Sequence, residues 1–221
     1  MRQGRSESWR FVHDFDQILH AVLYVRDCLG LDVEEAGGIP PRLAGDIPDR
    51  SGLLDSVGRH EVIRDWPNWW NRAVVERATT QLGRRGVERG PWPREVDGRH
   101  RQVADPLEWS ALSGQPALQE AARKLYIEGC QWFGSARRPF LPPLNRDIFN
   151  WELVRDSAEA TAADHGVSVG AINGCAFVLV VEGSWWELVS PGVVLCSVAA
   201  ATAPDSTVAI LEDVLASPLG D

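Results

Sequence analysis

The sequence predicts an α+β fold: a helical N-terminal part followed by a helix, a three-stranded antiparallel meander and a C-terminal helix. Three observations carry that expectation. Up to about residue 165, apolar residues recur at three- and four-residue spacing between loops rich in Gly and Pro. Between 171 and 200 the pattern changes to short apolar runs broken by Glu182-Gly183-Ser184 and Ser190-Pro191-Gly192. The last apolar run returns to helical spacing. With 221 residues, 44% hydrophobic and 24% charged, the chain can bury a core without disulfide or metal staples. This composition excludes a disordered tail and a collagen-like fibre. The longest apolar run, Cys175 to Val181, is far shorter than the roughly 18 residues of a membrane span.

Residues 7–29 read as one amphipathic helix, with Phe11, Phe15, Ile18, Leu19, Val22, Val25 and Leu29 on one arc and Gly30 as its stop. Residues 30–58 read as an irregular connection with a helical turn near Leu53. A second helix is expected from Pro67 to Leu82, with Asp65 as cap and Pro67 in its first turn. Residues 83–108 form a Gly/Pro/Arg-rich loop, and a third helix runs from Pro116 to about Phe133. On it Glu120, Lys124 and Glu128 form an i, i+4, i+8 surface ladder, which accounts for the one lysine of the chain. A fourth helix spans about Arg146 to His165, capped by Asn145 and stopped by Gly166. Three strands follow, Ala171–Glu182, Trp185–Val189 and Val193–Ala200, with a type II turn at Pro191-Gly192. Both faces of the first strand are apolar, so both are expected to be covered, leaving Phe177, Val178, Leu179 and Val180 buried. The final helix runs from about Ala203 to Ala216, with Thr202 and Asp205 at capping-box spacing. The pattern divides into a mainly helical region, 1–138, and a helix–three-strand–helix region, 139–221.

The net charge of −9 is unevenly spread. Residues 147–221 hold eleven acids and one base, Arg155, whereas residues 1–146 are nearly balanced. The acidic third repels phosphate backbones and suits a basic protein partner. Arg dominance over Lys, with abundant Ala, Gly and Val, fits a GC-rich bacterial genome. The four cysteines form no CxxC pair and mostly lie in apolar surroundings, as buried thiols of a reducing compartment do. Met1 to Arg5 lead into no apolar run, so no signal peptide is read and a cytoplasmic location is expected.

Catalytic signatures are absent: no GxSxG, no Walker A loop and no GxGxxG. His60-Glu61-Val62-Ile63-Arg64 begins like HExxH but has arginine in place of the second histidine. On a continuous first helix His13, Asp16, His20 and Asp27 fall within about 60° of arc, a spacing able to hold a divalent metal. The plainer reading is a solvated polar face, with His13 and His20 facing water. Arg84, Arg85, Arg89, Arg94, Arg99 and Arg101, interleaved by Trp92 and His100, could grip an acidic peptide or single-stranded nucleic acid. Among ten tryptophans, Trp66, Trp69 and Trp70 read as core, while adjacent Trp185 and Trp186 must point to opposite faces of a strand.

The leading expectation is a non-enzymatic bacterial protein that binds another protein, of immunity, antitoxin or accessory-subunit type, needing no cofactor. Its partner-binding residues would be Trp185, Glu187, Arg84, Arg85, Arg89 and Trp92. The alternatives are a metal-dependent enzyme using His13, Asp16 and His20, and a nucleic-acid-associated factor using the arginine loop.

Overall fold

The computed structural model describes residues 9–33, 38–83, 112–140 and 148–219. Two compact units emerge: a helical unit, residues 16–138, and a sheet unit made of residues 1–15 and 139–221. The α+β class holds. No helix among the described residues is long and apolar enough to cross a membrane.

The expected first helix is divided between the units. Arg10–Asp14 form strand β1, and helix α1 is confined to Gln17–Cys28. Asp16 makes the break. Its backbone is extended (φ −86°, ψ 117°), and its carboxylate accepts the N–H groups of Ile18 and Leu19 at 2.9 and 3.1 Å. The apolar arc was therefore a strand and a helix placed end to end.

In the helical unit, α1 packs with α2 (Ser56–Gly83) and α3 (Pro116–Ala136). Helix α2 starts at Ser56 rather than Pro67, so Pro67 lies in its interior and forfeits one ladder hydrogen bond. Burial of the tryptophans beside it offsets that loss. Trp66 and Trp70 stack with parallel rings 6.0 Å apart, and both indoles donate to backbone carbonyls, of Val22 and Gly38. Asp65 does not cap this helix; it takes the Arg64 guanidinium at 2.8 and 3.0 Å. Asp55 holds the first turn instead, accepting from Gly58 at 2.8 Å. Gly129 on α3 lets α1 approach, since a Cβ there would sit 3.2 Å from the Tyr24 ring.

Part of the Gly/Pro connection is clasped onto α1. Pro40 and Pro41 bring carbonyls into buried surroundings, where each needs a donor. Arg26 supplies them, at 2.6 and 2.7 Å, while its guanidinium also pairs with Asp27 and lies 5.6 Å from the Trp66 ring. Asp27 in turn accepts the Leu43 N–H at 2.7 Å.

In the sheet unit, β1 is joined by β2 (Asn173–Leu179), β3 (Trp186–Ser190) and β4 (Val193–Ser197) in the order β1-β2-β4-β3. The three predicted strands are present, but the sheet is not a simple meander. Strand β2 pairs in parallel with β1 and β4, and only β3 and β4 run antiparallel. The β3–β4 hairpin folds back so that β4 sits against β2, which places β3 at an edge. Its turn has the expected chemistry, with Gly192 at φ +75°. Both faces of β2 are buried, and Phe177, Val178 and Leu179 have no accessible surface.

Helices α4 (Trp151–Asp164) and α6 (Pro204–Ala216) pack with the face carrying Ala176, Val178, Val194 and Cys196. A Cβ at Gly174 would come within 2.8 Å of Leu215 and 3.1 Å of Phe11, so glycine permits this approach of α6 to the sheet. Helix α4 begins later than expected because Asn150 caps it, accepting from Glu152 at 2.8 Å; Asn145 lies outside the described residues. Thr202 closes no capping box. Its hydroxyl donates back to Val198 at the end of the short helix α5 (Val198–Thr202), and Pro204 opens α6.

Candidate functional site

The three residues of the metal reading do not share a helical face. His13 lies on β1 in the sheet unit, exposed, its ring 5.7 Å from Phe149. Asp16 and His20 belong to the helical unit and are buried, contrary to the expected solvent-facing stripe. One carboxylate oxygen of Asp16 caps α1 and the other receives the Arg77 guanidinium. His20 donates from Nδ1 to the Asp16 carbonyl at 2.7 Å, with Phe133 4.4 Å from its ring. Burial pushes its pKa down to about 4, so the imidazole is neutral at physiological pH. Asp27 is engaged by Arg26, Arg42 and the Leu43 N–H. Among the described residues no group of three or more His, Cys, Asp or Glu side chains is placed to hold a metal.

What the structure assembles instead is a buried polar cluster around the Asp16–Arg77 pair. Glu76 is 7% exposed. Burial pushes its carboxyl up to about 7; the Asp16 charge adds to the rise and Arg77 opposes it. Tyr126 on α3 belongs to the same neighbourhood: its hydroxyl hydrogen-bonds Cys130, and burial holds it well above the ordinary phenol range. The sequence did contain a signal. Positions 66, 69, 70 and 73 trace the buried stripe of α2, and the next members at that spacing are Glu76 and Arg77.

Lys124 lines a shallow cavity of about 380 Å³ together with Leu54, Asp55, Ala117 and Glu120. It pairs with Glu120 at 2.6 Å, as the predicted ladder requires, but Glu128 turns to Arg50 at 3.5 Å. None of the four cysteines is in a disulfide, and burial holds the Cys196 thiol far above its ordinary range, which disfavours the thiolate.

The partner-binding candidates separate. Arg84, Arg85, Arg89 and Trp92 lie outside the described residues. Trp185 and Glu187, both half-buried, lie just before and on the edge strand β3. The Ser197 hydroxyl fixes the start of this strand. It accepts from Trp185 N–H at 3.0 Å and from Ala200 N–H at 3.1 Å, while Ser197 N–H donates to the Trp185 carbonyl at 2.8 Å. In an antiparallel ladder that alternation aims the backbone of Trp185 and Glu187 at β4 and that of Trp186 and Leu188 outward. Leu188 is exposed, and no described strand pairs with this side of β3. Comparison with known proteins gives no match, whether to a family model, a curated protein or a solved structure.

Proposed function

We propose that this chain is a non-enzymatic protein-binding protein that receives an extended segment of its partner on the free edge of β3. The observation that carries this reading is the outer side of β3, which no described strand pairs, with Trp186 half-buried and Leu188 exposed along it. Strand addition supplies affinity through main-chain hydrogen bonds and specificity through alternate side chains. A register shift between Leu188 and Ser190 shortens the regular edge, so the segment it accepts is short. Glu182 and Glu187, within a region of net −10, favour a basic partner. The role is of the kind filled by bacterial immunity proteins, antitoxins and accessory subunits. Four cysteines outside any disulfide are in keeping with a reducing, cytoplasmic setting.

The test is hydrogen exchange on the full chain with and without a co-purified partner, alongside Leu188→Pro. Proline there removes an outward N–H and leaves the β4 ladder intact. The expected result is protection of the Trp186 and Leu188 amides in the complex, and loss of the partner from the variant at unchanged thermal midpoint. Protection confined to other segments, or capture unaffected by Leu188→Pro, would overturn the reading.

A further inference from the structure

Trp151 stands apart from the other tryptophans described. It is 64% exposed, and no other aromatic is found among the exposed large hydrophobic residues described. It is also held in place. It opens α4 directly after the Asn150 cap, and its ring lies 4.4 Å from that of Trp9, at 43°. Trp9 itself is partly buried against the core of the sheet unit. An anchored indole thus carries a second, outward-facing one. Large rigid aromatics left in water are typical of interface anchors, because binding them costs little conformational entropy.

The surroundings of this pair specify the chemistry of what covers it. Along α4 the exposed positions after Trp151 include Glu152, Asp156, Glu159 and Asp164. The one base among them, Arg155, is engaged by Asp156 at 2.8 Å. The exposed face therefore runs from an indole platform into carboxylates. An indole face attracts a guanidinium through its quadrupole, and the carboxylates attract the cations that flank it. A neutral or acidic segment would gain the apolar contact but lose the second attraction.

We infer that Trp151, backed by Trp9, is a docking platform for an arginine of a basic partner segment, whose further cations face Glu152 and Glu159. This rests on the protein-binding reading above and names a second contact, distinct from β3, together with the partner's chemistry.

The experiment uses the full chain and fluorescein-labelled octa-arginine, octa-lysine and octa-glutamate peptides, followed by fluorescence anisotropy at low and high salt. Octa-arginine should bind more tightly than octa-lysine, and octa-glutamate not at all. Trp151→Ala should weaken octa-arginine about tenfold, between the sizes of an exposed and a desolvated cation–π contact, and Trp151→Phe should weaken it less. Glu212→Gln on α6, an exposed acid elsewhere on the same unit, should change affinity less than about twofold. Equal losses from Glu212→Gln and Trp151→Ala would mean general charge attraction and overturn the inference, as would an unaffected Trp151→Ala. Leu188→Pro keeps the two ideas separable. Its failure to release the partner sinks strand addition alone, whereas an unaffected Trp151→Ala sinks the platform alone.

Discussion

Among the described residues, the buried polar side chains of the sheet unit are hydroxyls: Thr161, Ser190, Ser197 and Thr207. Those described in the helical unit are Asp16, His20, Arg26, Asp65, Glu76 and Gln81. Hydroxyls do not titrate between about pH 4 and pH 8, whereas a buried carboxyl and a buried imidazole do. The two units therefore answer differently to the same solvent. Both bury an apolar core, but among the described residues only the helical unit buries a carboxyl and an imidazole within it.

Within the helical unit two shifted groups oppose each other. Glu76 is raised from 4.5 to about 7, so it favours the fold below about 4.5 and that contribution is lost as pH rises to 7. His20 is lowered from 6.5 to about 4, so its contribution is present above 6.5 and is lost as pH falls to 4. Across the shared window the two slopes run in opposite directions, and the wild-type helical unit should show a shallow pH dependence.

The sharpest test of the contrast is Phe177→Ala in β2. Removing a fully buried phenyl should cost about 3–5 kcal/mol, by the same amount at about pH 5 and about pH 8. Urea midpoints measure it. An unchanged midpoint would remove β2 from the core, and a pH-dependent loss would break the contrast itself. Next comes Arg77→Met, which leaves Asp16 buried and unpaired near Glu76. We expect a loss of about 3 kcal/mol from the helical unit, growing with pH as Glu76 ionises. Glu76→Gln should act in the opposite sense. It should stabilise the helical unit by on the order of 3 kcal/mol at about pH 8, with little effect near pH 4. It should also unmask the His20 slope, so that this variant loses stability on acidification from about 6.5 to 4. Thermal melts at several pH values decide this, and a variant that parallels wild type at every pH would show that Glu76 carries no such shift. The smallest effect belongs to Lys124→Met, whose exposed pair with Glu120 should leave the midpoint unchanged.

The strands after residue 171 were legible because their signals are local: apolar runs, a Pro-Gly turn, glycine at a left-handed position. Strand β1 was not legible. Its Phe11 continues the three- and four-residue spacing of Phe15, Ile18 and Leu19, and its partner Gly174 is remote in sequence, so the pairing leaves no trace nearby. The same error dissolved the metal stripe, which required His13 to be helical. Pro67 misled in another way. Proline at a helix start and proline inside a helix differ only in what precedes them, and there the buried Val62 and the Asp55 cap decided. For Glu76 the spacing was available, but a charge on an apolar stripe is read as solvated until burial is known.

The parallel pairing of β1 with β2 also sets a clock. Asp14 and Asn173 are 173 − 14 = 159 residues apart, and the whole helical unit lies between them in the chain. At about 5–20 residues per second on the ribosome, β1 waits roughly 8–30 s for its partner strand to be made. The helical unit can be complete before then, whereas the sheet closes only after β2 and β4 have been made. In a growing chain, β1 spends that interval as an unpaired strand that a chaperone or a neighbouring polypeptide can reach.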